Sequence, residues 1–153
     1  MGNRKNEQHA CGSLGSCYVR LGEFKKAIHF YELKLEIIQE MSNRIEEGTV
    51  YSQLGSCFYP LGDFKKAIDY YELPLKIVKG SGNRAQEGTL YGLLSNRDQE
   101  GTLYGLLSNC YQALGDSRKA LEYQELYLTT RVRVREGVAY NYKSHEYRLS
   151  VEF

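Results

Sequence analysis

The side chains best suited to chemistry in this chain are His9, His29 and His145, Cys11, Cys17, Cys57 and Cys110, and the group Arg131, Arg133 and Arg135. The histidines lie far apart, and none falls in an H-E-x-x-H or comparable ligand pattern. Cys11 and Cys17 are six residues apart, which puts them on different faces of a helix and excludes a ligand pair. Gly80-Ser81-Gly82 lacks the later glycine and lysine of a phosphate-binding loop. The expectation is therefore a protein that is not an enzyme and carries no metal and no cofactor. The three arginines form a basic patch fit for an acidic peptide or phosphate. Their interleaved valines and the neutral chain around them argue against nucleic acid.

Charge and hydropathy narrow the partners further. Lys+Arg number 20 against 19 for Asp+Glu in 153 residues, a formal net charge of +1, so no global field draws in nucleic acid, acidic membrane or anionic small molecules. No stretch has the uninterrupted apolar length of a membrane span, and Met1 to Asn6 shows neither a signal core nor a myristoylation pattern. A cytosolic setting is expected. Disulfides are not: Cys17, Cys57 and Cys110 occupy equivalent places in successive repeats, roughly 10 Å apart in stacked helices. A bridge needs Cα atoms within about 7 Å.

The elements that position these residues come from an internal repeat. Leu14-Gly15-Ser16-Cys17 returns forty residues later as Leu54-Gly55-Ser56-Cys57, and Gly22-Glu23-Phe24-Lys25-Lys26-Ala27-Ile28 returns as Gly62-Asp63-Phe64-Lys65-Lys66-Ala67-Ile68. A third copy, from Leu107-Ser108-Asn109-Cys110 to Gly115-Asp116-Ser117-Arg118-Lys119-Ala120, follows at an offset of fifty-three. The thirteen extra residues are a tandem duplication: residues 83–95 and 96–108 are identical except that Ala85 becomes Asp98. A recent duplication and an error of sequence assembly would both produce it.

Each repeat carries two apolar runs at helical spacing, in repeat two Val50, Tyr51, Leu54, Cys57, Phe58, Leu61 and then Phe64, Ala67, Ile68, Tyr71, Leu75, Val78. The glycine between them ends the first helix, and the acidic residue after it caps the second. The expected architecture is all-α: a solenoid of about three antiparallel helical hairpins over residues 6–41, 45–79 and 97–130 of one domain spanning 1–153. Residues 131–153 are expected to form a degenerate partial repeat, with Glu136 to Tyr140 starting a first helix. Pro74 is expected to kink the second helix of repeat two. In the duplicated segment the two copies differ in phase by roughly 140° on one helix. The second copy is therefore expected to pack as the first helix of repeat three while the first copy extends that helix or loops out.

This pattern resembles the tetratricopeptide repeat over nearly the whole chain. Repeat one supplies Leu14, Gly15, Tyr18, Gly22, Ala27 and Tyr31, and repeat two supplies Tyr51, Leu54, Gly55, Phe58, Gly62, Ala67 and Tyr71. The forty-residue length is similar to that of the Pins/LGN-type polarity adaptors and of long metazoan tetratricopeptide proteins. The resemblance implies a scaffold that binds a peptide segment of a protein partner along a concave face lined by first helices. Those adaptors carry Leu-Gly-Asn, whereas here only Asn109 stands at the asparagine place, with Ser16 and Ser56 elsewhere. Repeat three also replaces Phe24/Phe64 by Ser117 and Tyr31/Tyr71 by Gln124.

On the first helices, residues half a turn from the buried stripe are the candidate peptide-binding set: Ser13, Ser16 and Arg20; Ser52, Gln53, Ser56 and Tyr59; Leu106, Asn109 and Gln112. A solvated face accounts for the same residues equally well. The recurring pairs Lys25-Lys26, Lys65-Lys66 and Arg118-Lys119 are expected to lie on a solvated outer surface. The alternative to a peptide scaffold is a structural spacer, part of a longer array, with no binding role of its own.

Overall fold

The computed structural model describes the backbone of residues 2–82 and 90–151 and the side chains of residues 2–80 and 97–137. It is built of six helices, α1 (Gly2–Arg20), α2 (Phe24–Glu40), α3 (Arg44–Phe58), α4 (Phe64–Gly82), α5 (Leu90–Ala113) and α6 (Ser117–Val151), with no strand among the described residues. Successive helices pack on one another in order, so the chain is an α-solenoid of three hairpins, α1–α2, α3–α4 and α5–α6.

The turn within each hairpin is the same device three times. Gly22, Gly62 and Gly115 have φ of 74°, 78° and 80°, a region that costs a residue with a Cβ about 1–2 kcal/mol. In each turn the glycine N–H and the following N–H bond back to the first helix: Gly22 to the Val19 carbonyl at 3.0 Å and Glu23 to that of Tyr18 at 2.9 Å, with matching pairs at Gly62 and Gly115. This is the Schellman closure. Asp63 and Asp116 then cap the second helices, accepting from the Lys66 and Lys119 N–H at 3.2 and 3.1 Å. Glu23 makes no side-chain cap, contrary to expectation; its carboxylate pairs with the Lys26 ammonium instead. One methylene more than aspartate carries the carboxylate past the first-turn amides.

A second triplicated device sits beside each turn. The rings of Tyr18 and Phe30, Phe58 and Tyr70, and Tyr111 and Tyr123 stack with centroids 5.4, 5.4 and 5.5 Å apart and planes within 6°. The Lys26, Lys66 and Lys119 ammonium groups lie 5.4, 5.2 and 4.9 Å from the centroids of Tyr18, Phe58 and Tyr111. These exposed lysines therefore each cover an aromatic face, an interaction of about 0.5–1 kcal/mol at such sites.

The core lies between hairpins. Ala27, Tyr31 and Ile38 of α2 bury Val50, Leu54 and Cys57 of α3, and Ala67, Ile68, Tyr71 and Leu75 of α4 bury Leu103, Tyr104, Leu107 and Cys110 of α5. All four cysteines are free thiols. Burial pushes Cys57 and Cys110 up to about 11, so both stay protonated and non-nucleophilic near neutral pH. Between α2 and α3, Ser42 takes the left-handed conformation at φ 56°, and Asn43 caps α3 through the Glu46 N–H at 3.4 Å.

Pro74 lies inside α4 and is buried against α3, where a Cβ on Gly48 would make an ordinary 3.6 Å contact with the Pro74 Cβ. Two expectations concern the C-terminal half. Residues 131–151 do not turn back as a partial repeat. They continue α6 through Arg135 and Glu136, which stand where the α2–α3 link has Ser42 and Asn43, so Glu136 is within a helix rather than at the start of one. In the duplicated segment, residues 83–89 lie outside the described residues. From Leu90 the backbone is one helix with the second copy, whose Leu103, Tyr104 and Leu107 are buried.

Candidate functional site

The candidate residues on α1, α3 and α5 divide into two groups according to what the second helix of the same hairpin places beside them. In hairpin one the Tyr31 ring lies against Gly15 so closely that a Cβ there would be 2.6 Å from it, and the Tyr31 hydroxyl bonds to Ser16 Oγ at 3.2 Å. Ser16 also donates to the Gly12 carbonyl at 3.0 Å. Hairpin two repeats this: a Cβ on Gly55 would be 2.7 Å from Tyr71, whose hydroxyl bonds to Ser56 Oγ at 3.1 Å, and Ser56 donates to the Ser52 carbonyl at 2.9 Å. The hydroxyls of Ser16 and Ser56 are thus engaged within their own hairpins. Serine at these places tethers a tyrosine, a partner forty-residue periodicity alone does not reveal.

The remaining first-helix candidates of hairpins one and two are dispersed. Ser13 and Arg20 are exposed, and Ser52 is half-buried with its hydroxyl on the Gly48 carbonyl at 3.1 Å. Gln53 is half-buried, and its Oε1 is closed off from solvent with no hydrogen-bond partner. Tyr59 caps the C-terminal end of α3 and meets the Phe64 ring edge-on at 5.3 Å, so it belongs to the turn end of hairpin two.

Hairpin three is built differently. Ser108 stands at the place of Gly15 and Gly55 and turns its buried hydroxyl to the Ala120 carbonyl at 2.8 Å, while Gln124, at the place of Tyr31 and Tyr71, is exposed. Beside them opens a cavity of about 370 Å³ lined by Thr102, Gly105, Leu106 and Asn109 of α5 and by Gln124, Tyr127 and Arg131 of α6. Two of the sequence candidates, Leu106 and Asn109, border this cavity; Gln112 is exposed one turn beyond. Thr102, Gly105 and Tyr127 carry no signal in the repeat pattern; Gln124 stands out in sequence only as a departure from the tyrosine of the other repeats, and Arg131 only as part of a basic patch.

The electrostatics of the cavity are set by Arg131. Its guanidinium carbon lies 5.9 Å from the Tyr127 ring centroid, and its Nη1 donates to Asp98 Oδ1 at 3.2 Å. Both charged side chains are about half exposed, at 50% and 56%, so the pair is screened and contributes little to stability. A ligand carboxylate or amide could therefore draw Arg131 away from Asp98 at small cost. Nothing in the lining supplies a nucleophile, and the chemistry offered is hydrogen bonding around an aromatic wall.

Two family models, each described as tetratricopeptide repeat, match residues 8–79 and 101–130. Among solved structures the chain is similar to the tetratricopeptide-repeat domain of Arabidopsis FLU, with 25% identity and a TM-score of 0.68 over 85% of this chain and 98% of that one. It is also similar in fold to the N-terminal domain of stress-induced protein-1 from C. elegans, with 16% identity and a TM-score of 0.60 over 88% of this chain and 96% of that one. No curated protein matches the chain in sequence.

Proposed function

The chain belongs to the tetratricopeptide-repeat family, and from that premise we propose that it holds an extended or helical segment of a partner protein along the face formed by α1, α3 and α5. The fold is in general a protein–protein interaction module. The forty-residue spacing, similar to that of the Pins/LGN-type adaptors, supports a segment lying across several hairpins. The observation that carries the reading is the cavity in hairpin three. There alone, among the described hairpins, the first-helix polar residue is an asparagine rather than a serine tied to a tyrosine.

Asn109 offers both a donor and an acceptor to a peptide backbone, Leu106 and Tyr127 offer apolar contact, and Arg131 favours an acidic side chain. Ser13, Ser16, Arg20, Ser52, Gln53, Ser56, Tyr59 and Gln112 are the outlying members of the proposed surface, with the Ser16 and Ser56 hydroxyls already bonded within their hairpins. With few clamps, a single peptide binds in the micromolar range, about 8 kcal/mol. The test is selection of ligands from a displayed random-peptide library, followed by titration against wild type and an Asn109→Ala, Arg131→Ala double mutant. The expected result is a loss of at least tenfold in the double mutant. Equal affinity would move the interface off this surface, and a library that yields no ligand would favour the spacer.

A further inference from the structure

Inside the array, one type of contact is made twice. The second helix of a hairpin receives the first helix of the next, and there Leu54, Cys57, Leu107 and Cys110 are each fully buried. Both halves of that contact recur once more without a cover. Leu14 and Cys17 of α1 stand where those leucines and cysteines stand in α3 and α5, yet Leu14 is 43% exposed and Cys17 is exposed. Leu121 and Leu128 of α6 stand where Ile68 and Leu75 stand in α4. The α4 pair is 7% exposed at each position, against 62% and 55% for the α6 pair.

We propose that these two faces close on each other between copies of the chain, with α1 of one copy stacking on α6 of the next in a head-to-tail assembly. The occupant is a second copy because the chain itself carries both halves of an interface it already makes twice, at matching repeat positions. A pairing of like faces would leave the other end bare, whereas the head-to-tail contact covers both and, being heterologous, can propagate. A polar detail of the internal contacts is reproduced only in part. Glu32 lies close enough to Tyr70, and Glu72 to Tyr111 and Tyr123, to help burial raise those phenols; in the stack Glu125 and Tyr18 take the places of Glu72 and Tyr111, while Phe30 stands at the place of Tyr70 and Tyr123.

The contact between copies is weaker than the internal ones, because the α6 face presents Gln124 and Arg131 where α4 presents Tyr71 and Val78. Association is therefore reversible and concentration-dependent. It also covers Gln124 and Arg131 at the rim of the hairpin-three cavity, so a second copy and a bound peptide compete for them.

The experiment is sedimentation velocity of the whole chain over a concentration series, with wild type, Leu14→Glu, Leu128→Glu and an equimolar mixture of the two variants, and no peptide present. Helical circular dichroism confirms that each variant is folded, and Cys17→Arg serves as a second variant of the α1 face. The wild-type average mass is expected to rise with concentration, each variant alone to sediment as a monomer, and the mixture to form a discrete heterodimer through its one intact pair of faces. Three results overturn the proposal: a wild type that is monomeric throughout, which would give the faces to another partner; a Leu128→Glu chain that associates like wild type, which would mean that like faces pair; or a mixture that stays monomeric. Each of these leaves the peptide reading standing.

Discussion

In hairpin two the Tyr71 ring is 1% exposed, pressed on Gly55 and tied to Ser56, whereas at the matching place in hairpin three Gln124 is exposed and Ser108 has turned its hydroxyl inward to Ala120. The exchange is concerted. A Cβ at position 108 excludes a tyrosine packed as in hairpin two, since the same Cβ on Gly55 would approach the ring to 2.7 Å. Both hairpins keep the glycine turn, the aspartate cap and the lysine-covered aromatic stack. The contrast teaches that a hairpin end can be held identically while its middle is either locked or open.

The largest effect that would break this contrast is loss of the tyrosine. Tyr71→Ala is expected to cost about 3–5 kcal/mol in urea unfolding, as for other buried aromatic deletions, while Gln124→Ala should stay within about 0.5 kcal/mol. Comparable losses for the two would show that hairpin three is locked by Gln124 after all. Next in size is the glycine pair. Gly55→Ala should cost about 1–3 kcal/mol by overpacking Tyr71. Gly105→Ala faces Tyr127 at an ordinary 3.5 Å and should be neutral or stabilising by up to about 1 kcal/mol, the helix-propensity gain.

How far the sequence carries depends on whether a feature is local. The turns at Gly22, Gly62 and Gly115 and the stripe through Leu54, Cys57 and Leu107 are legible because period and turn chemistry act within a few residues. The tethers of Ser16 and Ser56 are not legible because their partners, Tyr31 and Tyr71, arrive from the other helix. Tyr59 is drawn to Phe64 for the same reason. The cavity is illegible as a site, yet its signal is present in the joint departure of positions 108, 109 and 124 from the repeat. The unbroken length of α6 follows from something missing, a left-handed residue and cap like Ser42-Asn43, whose repeat places Arg135 and Glu136 take.

Alkaline pH sharpens the comparison with hairpin one. Cys57 and Cys110 are fully buried and raised from 9.0 to about 11, whereas Cys17 is exposed. A thiol with a raised folded value contributes its full share of stability below the unfolded value near 9. That share is lost as pH climbs toward 11, on the order of 2 kcal/mol per thiol. Buried tyrosines such as Tyr71, raised by desolvation, add loss of the same sign at higher pH. Cys57→Ala and Cys110→Ala should each flatten the decline of the urea midpoint above pH 9. A decline unaffected by either buried substitution would assign it to the tyrosines alone.

The smallest expected effect concerns the rim of the open hairpin. The one difference between the duplicated segments, Ala85 against Asp98, is the residue that meets Arg131 at 3.2 Å. The pair is half exposed, so Coulomb attraction is screened and two long side chains lose rotamer freedom to keep it. Asp98→Ala, which restores the residue of the other copy, should change stability by less than about 0.5 kcal/mol, and the change should vanish in high salt. Arg131→Ala should cost somewhat more, up to about 1 kcal/mol, because the guanidinium also covers the Tyr127 ring. A double-mutant cycle of the two isolates the ion pair from the ring contact. A coupling under about 0.5 kcal/mol means that Arg131 is available to an incoming acidic group, in contrast to the tethered hydroxyls of Ser16 and Ser56. A coupling above about 1.5 kcal/mol would make the rim of hairpin three as fixed as the middle of hairpin two and would erase the difference between them.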